Sequence, residues 1–153
     1  MAKIAWLVER LRADHPDLSF TASDDFRWSH SEGAVYFAPD DSADSLACLL
    51  HETAHGLLGH KDFKFDIDLL KLERAAWVYA RDRLATRYDV AIDDELVEES
   101  LDSYRDWLHD RSLCPRCGLT GLENDDKTYG CLNCRTTWQP NDARRCGLKR
   151  YTK

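Results

Sequence analysis

Residues 49–63 read "LLHETAHGLLGHKDF", three histidines and one glutamate set in a run that is otherwise mostly apolar. On a helix of 3.6 residues per turn, His51 and His55 stand one turn and only about 40° apart, so both imidazoles can face a single ion. Glu52 lies about 60° beyond His55 on the same side, where it can hold a water against the metal without ligating it. Leu49, Leu50, Ala54, Leu57 and Leu58 make this helix apolar nearly all round. A surface pair of histidines with a solvated glutamate is the plainer reading, but such neighbours bury the trio, and an unpaired buried polar group costs roughly 1–3 kcal/mol. A zinc ion removes that cost.

A third ligand is needed, and two residues offer themselves. If the helix continued, His60 would point about 180° from His51, so it could ligate only if the chain breaks sharply at Gly59; otherwise it is a helix C-terminal histidine favoured by the dipole. Glu73 is the better choice. It interrupts the apolar stripe Leu69, Leu70, Ala76, Trp77, Ala80 of the next helical pattern, where a lone carboxylate must be neutralised or else pair with neighbours such as Lys71 and Arg74 at the surface. Seventeen residues separate His55 from Glu73, enough for a turn and two helical turns running back. Two histidines, one glutamate and an open position make a catalytic rather than a structural zinc site.

Around this stretch, Ile4, Leu7, Val8 and Leu11 predict a helix over 3–13, stopped by His15–Pro16. "DFRW" and "AVYFAP" predict two strands joined by a turn at Gly33. Asp41 or Ser42 is the expected N-cap of a helix from Ala43 to about Leu58. A second helix is expected from Asp66 to about Tyr88, and a third from Asp93 to about His109 that buries Leu96, Leu101, Tyr104 and Leu108.

From residue 111 the periodicity gives way to turns and cysteines. "CPRCG" at 114–118 and "CLNC" at 131–134 give C-x2-C-x13-C-x2-C, two turns that can each offer two thiolates, Cys114 with Cys117 and Cys131 with Cys134, to a tetrahedral zinc. About 40 residues cannot hold a fold without such a staple. A thioredoxin-like redox role fits less well, because no βαβ pattern surrounds either pair. Cys48, on the apolar helix, is expected in the core; Cys146 is a spare thiol or a substitute ligand. The expected boundary thus divides a domain at 1–110 from a ribbon at 111–153.

Composition sets the outer limits. The chain has 153 residues, 43% of them hydrophobic, and five tryptophans, which is globular material. No apolar run approaches the roughly 20 residues of a membrane span, and Glu9, Arg10 and Arg12 stand where a signal peptide needs apolar residues. The expectation is a protein that is neither exported nor membrane-bound. Residues 1–110 hold 12 Lys/Arg against 24 Asp/Glu, and 111–153 hold 9 against 4. The acidic part is a poor platform for a phosphate backbone. The basic tail, with Arg135, Arg144, Arg145, Lys149 and Arg150 and with Trp138 and Tyr151 among them, could make weak nucleic-acid contact or is simply solvated.

"LLHETAHGLLGH" followed by "LERAAWVYARDRL", with the strand "AVYFAP" before them, resembles the ImmA/IrrE group of zinc metallopeptidases over roughly residues 34–88. The resemblance implies an α+β chain with a helix-rich, zincin-like core and a small N-terminal sheet, to which this sequence adds the zinc ribbon. It implies His51, His55 and Glu73 on a catalytic zinc, Glu52 as general base, a cytoplasmic protein, and a protein substrate such as a helix-turn-helix repressor. Trp77 and Tyr79 depart from the smaller or acidic residues expected after the Glu-x-x-Ala start.

A peptidase built from these parts uses zinc to activate water, Glu52 to carry its proton to the leaving amine, and the strand before the helix to pair with an extended substrate. Tyr79, Tyr104 and His109 are eligible to steady the oxyanion. A SprT-like protease for DNA-bound proteins is a second reading, carried by the ribbon and by "GHKDF", with His60 as the third ligand. A non-catalytic zinc-binding adaptor is the third.

Overall fold

The computed structural model describes residues 3–141 and 150–152, the side chains of 126 and 150–152 excepted. The chain is α+β and divides into two compact units, Met1–Lys61 with Leu72–Val97, and Asp62–Lys71 with Glu98–Lys153. The boundary expected at residue 110 lies inside the second unit, which also takes in the ten residues from Asp62.

The first unit opens with α1 (Ile4–Asp14), whose Ile4, Leu7, Val8 and Leu11 are buried at the predicted spacing. Burying each such side chain stabilises by about 2 kcal/mol. Lys3 offers α1 no side-chain cap. Instead the first helical N–H, on Ile4, donates to Asp41 Oδ1 at 2.9 Å. Asp41 therefore serves a distant helix, and Ser42 caps its own, α2 (Ala43–Leu57), accepting from Ser45 N at 3.2 Å. The ambiguity between these two neighbours is resolved because each closes a different helix.

Between the helices lie β1 (Ser19–Ala22), β2 (Arg27–Ser29) and β3 (Ala34–Phe37) in the order β1-β3-β2, β1 parallel to β3 and β2 antiparallel to it. The predicted pair is β2 and β3, with Gly33 at φ 60° in the turn between them. β1 was not expected: only Phe20 of "SFTA" is buried, so the strand leaves almost no apolar pattern. Its presence overturns one expectation. β3 has a partner on each side, so the strand before α2 has no free edge for a substrate; among the described residues the open edges belong to β1 and β2.

α3 (Asp66–Tyr79) passes into a wider π turn (Ala80–Ala85) and then α4 (Thr86–Tyr88), covering the expected 66–88. Ala76, Ala80, Leu84 and Tyr88 are all buried and lie four residues apart. In an α-helix that spacing drifts by about 40° per step. The wider turn removes the drift and keeps the stripe on the core. The division between the units passes through α3 and through α5 (Asp94–Ser112), which ends three residues later than expected. Its buried apolar residues are Val97, Leu101 and Trp107, while Leu96, Tyr104 and Leu108 are only half-buried.

In the second unit, β4 (Leu122–Glu123), β5 (Tyr129–Gly130), β6 (Thr137–Pro140) and β7 (Arg150–Thr152) form an antiparallel sheet in chain order. Trp138, fully buried, stacks on Tyr129 with centroids 5.8 Å apart, and its Nε1 donates to Arg111 O at 2.9 Å. A buried polar knot accompanies this small core. Asp66 accepts from Arg111 Nε and Tyr129 OH, both at 2.7 Å, and its own N–H donates to Glu123 Oε2 at 2.7 Å. The knot ties residues 62–71 to the ribbon through a carboxyl too deeply buried to stand without such partners.

Candidate metal centres

α2 carries His51 and His55 one turn apart on a side packed against its own unit, and both are more than nine-tenths buried. Glu73, equally buried, comes to them from α3. Its Oε2 lies 2.9 Å from His51 Nε2, its Oε1 lies 3.3 Å from His55 Nε2, and the two Nε2 atoms are 3.2 Å apart. Burial acts to raise the Glu73 carboxyl, but the hydrogen bonds and charges of the two histidines outweigh it and hold it below the ordinary carboxylate range. Its expected role as the carboxylate of this cluster thus has the right geometry; a solvated glutamate paired with Lys71 or Arg74 does not describe it.

The fit to a metal can be tested on these distances. Two imidazole nitrogens bound to one tetrahedral zinc at about 2.05 Å stand about 3.3 Å apart. The pair in this structure matches. The three candidate ligand atoms all lie within 4.8 Å of one another. The residues are compatible with zinc.

What steadies the rings differs between the two histidines. His51 stacks on Trp77, centroids 4.1 Å apart and planes 19° apart, and its buried Nδ1 has no hydrogen-bond partner. Trp77 thus supplies a wall for the His51 ring. Its signal was in the spacing: Trp77 lies four residues after Glu73, on the same helix face. His55 is steadied by a ring instead, its Nδ1 2.8 Å from Nδ1 of His60.

Glu52 is half-buried, with Oε1 3.9 Å from His51 Nε2. Burial pushes its carboxyl up, against the pull of His51 and His55. Tyr79 packs against the core of the first unit, while Tyr104 and His109 lie on α5 in the second. Cys48 is half-buried on α2, and burial pushes its thiol up to about 11, the state of an unreactive packing residue.

The four cysteines also converge. Cys114 Sγ lies 3.5 Å from Cys134 Sγ, Cys117 Sγ lies 3.5 Å from Cys131 Sγ, and all four are mutually within 4.8 Å. A disulfide needs about 2.05 Å, whereas two thiolates on one tetrahedral zinc stand about 3.8 Å apart. Each C-x2-C pair sits on the same kind of turn. Gly118 N donates to Cys114 O at 2.9 Å, and Arg135 N donates to Cys131 O at 3.0 Å. The residue after each second cysteine is left-handed, Gly118 at φ 76° and Arg135 at φ 61°. Hydrogen bonding to Thr136 lowers the Cys134 thiol to about 6, favouring the thiolate a metal requires. Cys146 lies outside the described residues, as do Arg144, Arg145 and Lys149; Trp138, expected among basic residues at a surface, is instead the centre of the ribbon core.

Fold and sites together define an α+β protein with two candidate metal centres of different donor chemistry, and no described helix is long and apolar enough to cross a membrane. Comparison with protein-family models, with curated proteins and with solved structures gives no match.

Proposed function

We propose that this chain is a zinc-dependent endopeptidase of the ImmA/IrrE kind that cleaves a regulatory protein, such as a helix-turn-helix repressor, in the cytoplasm. The observation that carries the reading is the placement of Glu52, a half-buried carboxyl beside two buried imidazoles and a buried carboxylate. His51, His55 and Glu73 would hold the zinc, which when bound would supply Lewis acidity toward the scissile carbonyl and lower the pKa of water. Glu52 takes the water proton and returns it to the leaving amine. Glu73 balances charge from the opposite helix, and Trp77 keeps His51 from turning. The four thiolates form a closed set, so the ribbon contributes stability or recruitment rather than chemistry.

The SprT-like reading wants His60 as a ligand, and His60 instead meets His55 at the nitrogen facing away from Glu73. The deciding experiment incubates wild type and Glu52→Gln with a helix-turn-helix repressor while bound zinc is counted. Two zinc ions per chain in both proteins, with cleavage reduced at least about 100-fold in the variant, support the proposal. Full biological activity in Glu52→Gln points to an adaptor and overturns it.

A further inference from the structure

The end of α2 is built in an unusual amount of detail. Gly59 N donates to Gly56 O at 3.2 Å, and His60 N donates to His55 O at 3.0 Å, the paired hydrogen bonds of a Schellman motif, with Gly59 left-handed at φ 67°. The chain therefore breaks sharply at Gly59, as ligation by His60 would have required, yet the ring is delivered elsewhere. It comes to rest against His55, Nδ1 to Nδ1 at 2.8 Å, with centroids 5.0 Å apart. The reversed chain is then pinned from β2, where Trp28 Nε1 donates to His60 O at 2.9 Å. The bare Gly56 lets that indole close in: a Cβ there would meet Trp28 Cζ3 at 3.0 Å.

Resting on the zinc reading of His51, His55 and Glu73, we propose that His60 is a positioning residue that accepts the Nδ1–H of His55 and so fixes the tautomer and the orientation that present His55 Nε2 to the metal. The proton count leaves one arrangement. Nε2 of His55 faces Glu73 and His51, so a neutral His55 that ligates through it must carry its proton on Nδ1. That N–H needs an acceptor, and Nδ1 of His60 stands in reach at 2.8 Å, so that His60 carries its own proton on Nε2. His51 has no such partner on its Nδ1 among the described residues and relies on the face of Trp77. One ligand is thus aimed by a hydrogen bond and the other by stacking. "LLGH" becomes a single device: two leucines finish the helix, the glycine reverses the chain, and the histidine reaches back over one turn.

Outer-shell partners of ligating histidines commonly change metal affinity by 10- to 100-fold. The test measures zinc affinity by chelator competition for wild type, His60→Ala and His60→Asn, the last keeping an acceptor near the place of Nδ1. Two zinc ions in wild type, a loss of about 10-fold or more at one site in His60→Ala, and recovery of most of it in His60→Asn support the proposal. Equal affinity in wild type and His60→Ala overturns it while leaving the metal centre in place. A wild type that binds a single zinc, unchanged by His51→Ala, overturns the metal centre and the role of His60 with it. A measurement free of any folding defect is nitrogen NMR of the zinc-loaded wild type. Scalar coupling across the hydrogen bond from His55 Nδ1 to His60 Nδ1 is expected, and a protonated His60 Nδ1 overturns the assignment.

Discussion

Where His51, His55 and Glu73 project from two regular helices, Cys114, Cys117, Cys131 and Cys134 sit on two irregular turns whose backbone already folds around them. The first set offers three donors of two kinds, in a unit with its own apolar core. The second offers four donors of one kind, in a ribbon whose apolar cluster is Tyr129, Trp138 and the cysteines themselves. A centre that leaves a coordination position open has to be held by the fold. A centre that fills all four can hold the fold instead.

That contrast is sharpest under metal removal. Structural zinc in small domains is worth roughly 10–16 kcal/mol, so chelation or Cys131→Ser should unfold the ribbon, seen as loss of dispersed amide resonances from 111–141. His51→Ala in the first unit should leave the fold intact and remove only the bound ion. If both variants unfold the unit they lie in, the comparison fails.

The next largest effect concerns the polar knot. Arg111→Ala strands the Asp66 carboxylate, more than nine-tenths buried, and should cost about 3–5 kcal/mol in denaturant unfolding of the second unit. Gly121→Ala belongs close behind, because a Cβ there would lie 2.4 Å from Trp138 Cη2 and 2.8 Å from Gly130 O. A loss under about 1 kcal/mol for either would show that the ribbon rests on its thiolates alone.

The two cysteine turns provide a smaller comparison within one centre. Gly118→Ala forces a side chain into the left-handed region and should destabilise by about 1 kcal/mol, whereas Arg135→Gly relieves that conformation and should be neutral or slightly stabilising. Zinc-loaded thermal melts are the check: Gly118→Ala should melt below wild type, and Arg135→Gly no lower than wild type.

The smallest effect is on pH. Burial raises the Glu123 carboxyl from 4.5 to about 7, against the pull of Arg111 and Lys127 and with the added repulsion of Asp66. A carboxyl raised in the folded state contributes stability that is complete below pH 4.5 and lost as pH climbs through about 7. Glu123→Gln should therefore gain on wild type at pH 8 and lose that advantage near pH 5, read as the difference between their unfolding midpoints.

Much of this was legible along the chain, for reasons that differ by element. The helices at 43–57 and 66–88 and the four-cysteine spacing follow from periodicity and from ligand chemistry, both local. Glu73 was legible because a charge in an apolar stripe is an anomaly visible without a structure. β1 was not, since "SFTA" buries a single residue and earns its place by pairing with β3. Nor was the fate of Asp66, an ordinary first-turn acid by sequence, whose partners Arg111, Glu123 and Tyr129 come from 45 to 63 residues away. The turn that carries His60 back over His55 was half visible. Gly59 announced a break, but the direction in which the ring would land depends on Trp28 from the sheet.

The stacking of Trp77 on His51 gives the first unit an optical gauge. An indole in face-to-face contact with an imidazole changes its emission when that ring gains a proton or a cation, so the difference spectrum between the native chain and Trp77→Phe isolates one fluorophore out of five. A cation taken up at His51 would then be followed by light, in real time, without a substrate in hand.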